Sequence, residues 1–343
     1  MDGSHFEDQI IYDWTIYDWT IYLEDWKDIF RLARWSNLLF LGVLIWVMNA
    51  WVAVPILERA AFGAQLPWYT LLLIGAATVL IAAGGYVVND YFDVKIDRIN
   101  RPDELIVTRT VSRETAMHLS IVLSGVGVVC GLVAAWMLRS MTLAVVFVLV
   151  PGLLWFYSSS YKRLFMIGNL TIALLSALTP LTIAFANIAQ LKLMPYADSI
   201  LPYTTLEHDL YAWLGGFALF AFLLTWIREI IKDLQDQQGD RELECHSMPV
   251  VWGETWTKVF VTMLFALTLG LIGYLWWSVL PFPHSWQALS TRYIALGIVT
   301  PMLGAVGLLW AAKIPSDYKT CQQVVKLTML LGMLYSICIV RGF

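Results

Sequence analysis

Long apolar runs, separated by short polar segments, occupy most of the chain from Trp35 onward. A run of about 20 apolar residues is long enough to cross the hydrocarbon core of a membrane as an α-helix. The pattern predicts nine such helices, at about 36–56, 68–88, 115–138, 141–158, 166–189, 209–231, 257–280, 291–311 and 323–340. The prolines and glycines inside these runs are compatible with membrane helices, because neighbouring helices satisfy the backbone groups that they free.

Composition supports this interpretation. The chain has 343 residues, of which 59% are hydrophobic and 14% charged, and its mean hydropathy is +0.67. These values exclude an average soluble domain. We therefore expect an all-α integral membrane protein, with nine transmembrane helices in a bundle around a central cavity and no nucleic-acid partner. The four cysteines are scattered without metal-ligand spacing, and we interpret them as inert thiols.

The first 30 residues differ from the rest. The pentad Ile-Tyr-Asp-Trp-Thr occurs twice in succession, at 11–15 and 16–20. A period of five fits neither a helix nor a strand, whereas Tyr and Trp favour membrane–water interfaces. We expect residues 1–30 to form an aromatic, acidic, interfacial segment, or an expanded segment without a role, before a single domain at 31–343. The acidic start does not match a signal peptide.

The distribution of Lys and Arg predicts the orientation. If the N-terminus is cytoplasmic, 17 of the 22 basic residues lie on the cytoplasmic side and 5 on the other. Basic residues accumulate in cytoplasmic loops of membrane proteins. We therefore expect a cytoplasmic N-terminus, an external C-terminus and a place in the cytoplasmic (inner) membrane.

Two acidic clusters follow apolar helices on the predicted cytoplasmic side. Asn89, Asp93 and Asp97 are spaced i, i+4 and i+8, so they share one helical face. At the end of the sixth run, Asp233, Asp236 and Asp240 share a face if the helix continues past Gly239, with Arg228 and Lys232 beside it. One such cluster alone is typical of a solvated helix end.

Two facing clusters of carboxylates require cations, because like charges at close range repel by several kcal/mol, about 4 at an effective dielectric constant of 20. Carboxylate and amide oxygens suit Mg²⁺, which commonly bridges protein carboxylates to substrate phosphates. The pattern therefore indicates a magnesium site, with a diphosphate as the substrate group.

Several motifs resemble those of the UbiA superfamily of intramembrane prenyltransferases. Residues 89–97, N-D-Y-F-D-V-K-I-D, resemble its N-D-x-x-D-x-x-x-D motif, and residues 232–240, K-D-L-Q-D-Q-Q-G-D, resemble its second Asp-rich motif. The nine runs and a Y-S-x-x-Y-K-R element at 157–163 are also similar. Residues 228–240 with M-P-V-V-W-G at 248–253 are most similar to the digeranylgeranylglyceryl phosphate synthase-like branch. Glu104, Leu105 and Thr108 depart from that branch, which leaves the acceptor open.

The resemblance implies a prenyltransferase that takes a polyprenyl group, such as geranylgeranyl, from its diphosphate. The best-matching acceptor is the hydroxyl of a glycerol-phosphate lipid, and the alternative is an aromatic acceptor. Two Mg²⁺ ions are implied, one held by Asn89, Asp93 and Asp97 and the other by Asp233, Asp236 and Asp240. The resemblance further implies catalytic roles for Asp93, Asp97, Asp233, Asp236, Arg228 and Lys232. The implied diphosphate ligands are Arg34, Arg101, Arg109, Tyr157, Tyr161, Lys162, Arg228 and Lys232.

Two other classes of function remain open at this point: a transporter for a divalent cation and a membrane scaffold without catalysis. A transporter is expected to carry carboxylates near the middle of its spans. A scaffold is expected to tolerate loss of the acids. We also expect Arg98 and Arg101 to share a loop with the first acidic cluster.

Overall fold

The computed structural model describes residues 26–60, 63, 65–195, 197–278 and 284–338. This part of the chain is almost entirely helical, and the tandem pentads lie outside it. The helices are α1 (Trp26–Leu32), α2 (Trp35–Val47), α3 (Val54–Arg59), α4 (Trp68–Asn100), α5 (Arg113–Met137), α6 (Met141–Ser159), α7 (Ile167–Lys192), α8 (Ala197–Ile200), α9 (Leu206–Glu242), α10 (Met248–Val251), α11 (Glu254–Ser278), α12 (His284–Tyr293), α13 (Thr300–Ala311) and α14 (Pro315–Leu334).

Within the described residues, nine segments are long and apolar enough to cross a membrane. They match the nine predicted runs in order and position, so the predicted multi-pass membrane protein is confirmed. Two of the nine are composite: α2 and α3 are joined by a π-helical segment, Met48–Ala53, and α12 and α13 by another, Ile294–Val299.

The two π-helical segments were not predicted from the sequence. Each is followed within two residues by a proline, Pro55 or Pro301, in the first turn of the next helix. Proline lacks the backbone N–H and its ring clashes with the carbonyl four residues earlier, so the preceding turn must widen. Asn49 in the first π segment is buried and accepts a hydrogen bond from Asn187 Nδ2 at 3.0 Å, which ties α7 to it.

Close helix packing sets the arrangement of α4, α5 and α6. A Cβ on Gly84 of α4 would lie 2.2 Å from Ser124 Oγ of α5, and one on Gly131 of α5 would lie 2.3 Å from the Phe147 ring of α6. Ser120 Oγ also donates to the carbonyl of Gly84 at 2.9 Å. Small residues allow membrane helices to approach this closely. The first acidic cluster is therefore carried by a firmly packed helix.

Two helices extend well beyond the length that a membrane requires. α4 has 33 residues and α9 has 37, which correspond to about 50 and 55 Å at 1.5 Å per residue. The hydrocarbon core is about 30 Å thick. In both helices the additional length includes the polar C-terminal turns, and these turns carry the two acidic clusters.

Candidate functional site

The C-terminal ends of α4 and α9 meet, and this contact brings the two acidic clusters together. α4 remains helical through Asn89, Asp93 and Asp97 to Asn100, and α9 continues past Gly239 to Glu242. Both predicted shared faces therefore exist. Arg101, directly after α4, forms an ion pair with Asp236 of α9.

Asn100 holds the two helix ends in register. Its Nδ2 donates to the backbone carbonyl of Asp236 at 3.2 Å, and its Oδ1 accepts from the backbone N–H of Gly239 at 3.0 Å. A Cβ on Gly239 would lie 2.6 Å from the Asn100 amide. Glycine at position 239 therefore leaves room for the side chain that joins the two clusters.

In the first cluster, buried Asn89 and Asp93 contact each other and a lysine from another element. Asn89 Nδ2 donates to Asp93 Oδ2 at 2.7 Å, and Lys162 forms an ion pair with Asp93. Burial, together with the positive charges of Lys232 and Arg163, lowers the pKa of Lys162 to about 7. Contact with the Asp93 carboxylate acts in the opposite direction and favours the charged amine.

In the second cluster, Asp233 accepts a hydrogen bond from Asn169 Nδ2 of α7 at 2.8 Å. Asp240 is buried near the end of α9. Lys232 interacts electrostatically with Asp97, Asp233 and Asp240, so it lies between the clusters.

Two arginines form ion pairs with acids that are not among the predicted site residues. Arg34, directly before α2, donates to Asp90 Oδ1 at 2.7 Å, and its guanidinium lies 5.0 Å from the centre of the Tyr86 ring. Arg228 forms an ion pair with the buried Glu229. Asp90 and Glu229 each adjoin a predicted site residue in the sequence, and this adjacency is the signal that was missed.

The remaining predicted site residues are two tyrosines and Arg109. Tyr157 is half-buried and interacts electrostatically with Glu229 and Asp233. Tyr161 stacks on Phe156, with ring centres 5.9 Å apart. Arg109 is exposed in the connection between α4 and α5.

Two other expectations concern the residues around the first motif. The prediction that Arg98 shares a loop with the acids is wrong, because α4 continues to Asn100 and Arg98 is exposed on it. Glu104, which departs from the resembled pattern, accepts a hydrogen bond from Lys319 of α14 at 3.0 Å. That hydrogen bond lowers the pKa of Glu104. Residue 104 therefore joins the segment after α4 to the last span.

The chemistry of the donor atoms fits Mg²⁺, because the two clusters offer carboxylate oxygens and an amide oxygen. In the described part of the chain, however, no three acidic, histidine or cysteine side chains are grouped closely enough to hold a metal ion. Asp93 and Asp236 are instead paired with Lys162 and Arg101, and Asp233 is bound by Asn169. Metal binding would therefore replace these contacts.

An apolar cavity of about 120 Å³ lies among α2, α7, α9, α11, α14 and the second π segment. Its lining includes Phe40, Leu224, Ile272, Met329 and Tyr335 and none of the predicted metal ligands. A cavity of about 150 Å³ in another protein holds benzene. This space therefore accommodates a short stretch of hydrocarbon chain.

Comparisons with known proteins identify similar chains. The profile described as the UbiA prenyltransferase family matches residues 50–330. The digeranylgeranylglyceryl phosphate synthase of Methanosphaera stadtmanae is 31% identical over 200 residues, which cover 57% of this chain and 63% of that protein. The synthase of the same name from Methanopyrus kandleri is 30% identical over 272 residues, which cover 79% of this chain and 88% of that protein. The chain thus spans slightly less than two thirds of the first relative and most of the second.

Solved structures show the same fold. A structure described as concerning the biosynthesis of digeranylgeranylglyceryl phosphate synthase in membranes superposes with a TM-score of 0.59 at 22% identity, covering 92% of this chain and 97% of that one. A UbiA homolog from Archaeoglobus fulgidus bound to GPP and Mg²⁺ gives a TM-score of 0.54 at 14% identity, covering 92% of this chain and 99% of that one.

Proposed function

The chain belongs to the UbiA prenyltransferase family, and we propose that it transfers a prenyl group from a prenyl diphosphate to the hydroxyl of a glycerol-phosphate lipid. The observation that carries this proposal is the contact between the acidic ends of α4 and α9 through Asn100. The relatives named for digeranylgeranylglyceryl phosphate support the choice of acceptor. That product carries two geranylgeranyl groups. A transfer that adds the second group would use geranylgeranylglyceryl phosphate as the acceptor and geranylgeranyl diphosphate as the donor.

We assign the metal ligands to the two clusters, as the resemblance implies. Asn89, Asp93 and Asp97 would hold one Mg²⁺, and Asp233, Asp236 and Asp240 would hold a second. The homolog that binds GPP and Mg²⁺ supports the identity of the metal. When bound, Mg²⁺ neutralises negative charge on the departing diphosphate.

The basic side chains bind and orient the remaining diphosphate oxygens. Lys162 and Arg101 already lie against Asp93 and Asp236, and Lys232 lies between the clusters. Arg34 and Arg228 are anchored by Asp90 and Glu229. Guanidinium groups bind phosphate oxygens in pairs, whereas lysine acts as a point charge. We also assign Arg109, Tyr157 and Tyr161 to the donor site, as the resemblance implies.

Transfer breaks the bond between the allylic carbon and the diphosphate oxygen and forms an ether bond from the acceptor oxygen to that carbon. The acceptor hydroxyl loses its proton, and diphosphate leaves. Water would capture the allylic cation, so the reaction needs a site from which water is excluded. The apolar cavity, whose lining residue Leu224 lies one turn before Arg228, supports a central cavity of this kind.

The assay that tests this function supplies wild-type protein in lipid vesicles with labelled geranylgeranyl diphosphate and Mg²⁺. We expect labelled ether product with geranylgeranylglyceryl phosphate, none with 4-hydroxybenzoate, and none after chelation of Mg²⁺. Transfer only to the aromatic acid would show that the acceptor is aromatic. Transfer to neither compound would contradict the enzymatic function. The acids lie in the last turns of α4 and α9, which disfavours the cation transporter.

We further propose that the site faces the cytoplasm, with the N-terminus on the same side, in the cytoplasmic membrane. The excess of basic residues on one side supports this orientation. A reporter that is active only outside the cytoplasm, fused after Phe343, is expected to be active. If a reporter that is active only in the cytoplasm were active at the same position, the orientation would be opposite to the proposed one.

A further inference from the structure

One face of α14 changes from polar to apolar along its length. Gln322, Lys326, Met329 and Met333 are spaced i, i+4, i+7 and i+11, so they follow a single helical face. Gln322 Nε2 donates to Gln235 Oε1 of α9 at 2.7 Å, whereas Met329 and Met333 line the apolar cavity. Lys326 therefore lies at the boundary between the two regions.

The neighbouring helices α2 and α9 also change between polar and apolar residues at the level of Lys326. On α2, Asn37 precedes the cavity residues Phe40 and Leu44 on the same face. On α9, the cavity residue Leu224 precedes Arg228 by one turn. The cavity is therefore apolar inside and polar at the end nearest the acidic clusters, which matches a lipid with a polar head and an apolar chain.

Lys326 is a positive charge at this polar end without an acidic partner in the described part of the chain. Its Nζ donates to Asn37 Oδ1 at 2.6 Å, and it pairs with no carboxylate among residues 26–338 that the structure describes. Arg228, with which Lys326 interacts electrostatically, is already balanced by Glu229.

The position of Lys326 leaves its amine available to a ligand. Lys326 lies in the first turn of the predicted apolar run 323–340, at the predicted cytoplasmic end of that run, and the residue is exposed rather than buried among the helices. With no carboxylate beside it, the amine can bind an anion that arrives with a ligand.

We propose that Lys326, held by Asn37, binds the phosphate of the lipid acceptor while the chain of that lipid enters the apolar cavity. This inference rests on the proposed function and identifies how the acceptor is recognised. In the proposed function, the basic residues beside the two acidic clusters bind the donor diphosphate. Lys326 instead lies on the last span, bonded to the first span across the mouth of the cavity.

The test compares kinetic constants of Lys326→Gln and wild type in vesicles with geranylgeranyl diphosphate and geranylgeranylglyceryl phosphate. We expect the KM for the acceptor to rise about tenfold or more, the cost of losing one hydrogen bond to a charged group. The kcat and the KM for the donor should stay within about twofold, since Lys326 serves neither the donor nor the reacting atoms. Lys326→Arg should retain the wild-type KM.

Lys319→Gln is the matched control, because Lys319 is on the same helix and contacts Glu104 at the surface. It should leave both KM values unchanged. A second comparison uses geranylgeranylglycerol, the acceptor without its phosphate. Removing the phosphate should raise the wild-type KM by the same factor as Lys326→Gln and should have no further effect on that variant.

An unchanged acceptor KM in Lys326→Gln, or an increase in the donor KM instead, would overturn the inference. An equal penalty for phosphate removal in both proteins would also overturn it. Absence of transfer by the wild type would contradict the proposed function rather than this site. In that case, equilibrium binding of radiolabelled geranylgeranylglyceryl phosphate, weaker in Lys326→Gln than in wild type and Lys319→Gln, still tests it.

Discussion

Replacing Asp93 and Asp236 together by alanine is expected to slow prenyl transfer by about a thousandfold or more. Neutralising the leaving diphosphate lowers the activation barrier by several kcal/mol, and the variant loses that stabilisation. Each carboxylate is also the partner of a basic residue, Lys162 or Arg101. The variant therefore loses one proposed metal ligand from each cluster and the acidic partners of two residues that we assign to the diphosphate. The measurement is the rate of labelled product formation over a range of Mg²⁺ concentrations.

The matched control is Asp103→Ala with Glu242→Ala. Both acids are exposed at the same two helix ends, and the change in net charge is identical. The control should transfer at nearly the wild-type rate. If the Asp93→Ala, Asp236→Ala protein matched the wild type with every acceptor, the role assigned to the clusters would be wrong and a non-catalytic membrane scaffold would fit better.

Asn100→Ala is expected to reduce kcat/KM by about 100-fold while the protein remains folded. A misplacement of about 1 Å between reacting groups has a cost of this size. The Asn100 amide makes two hydrogen bonds that align α9 against the end of α4, beside the Arg101–Asp236 ion pair. Transfer kinetics and thermal unfolding in detergent, measured on the same preparation, separate loss of alignment from loss of folding.

Gly239→Ala provides the companion measurement, because the added methyl group would overlap the Asn100 amide. Alone it should impair transfer, but in the Asn100→Ala background it should have little further effect, since the clash is removed. Such non-additivity is the signature of two residues in direct contact. Losses that multiply in the double variant would contradict the proposed contact.

Helix positions could be predicted from the sequence because they depend on local patterns. The apolar runs predicted the nine spans, and the spacing of Asn89, Asp93 and Asp97 predicted their shared face on α4. From the sequence alone, the helical path through Gly239 is conditional, because glycine often ends helices. In this structure it serves instead as the place where another side chain approaches α9.

Contacts between distant segments could not be predicted in the same way. Asn100 and Gly239 are separated by 139 residues, and Asn169 and Asp233 by 64. A local sequence period does not indicate which residues meet when they are this far apart in the chain. Lys162 and Arg101 were expected to bind diphosphate, but their contacts with Asp93 and Asp236 were not expected, because the sequence shows charges without showing which of them meet.

The length of α4 and α9 also bears on the phase from which each proposed substrate would arrive. Because both helices are longer than the hydrocarbon core is thick, we expect their polar last turns to reach the head-group region, where the charged head of the proposed donor would meet them from the water side. The proposed lipid acceptor would instead arrive by lateral diffusion within the bilayer. The concentration that governs its capture is therefore its surface density: adding inert lipid to the vesicles slows the reaction, whereas diluting the vesicles in buffer leaves the occupancy of the acceptor site unchanged.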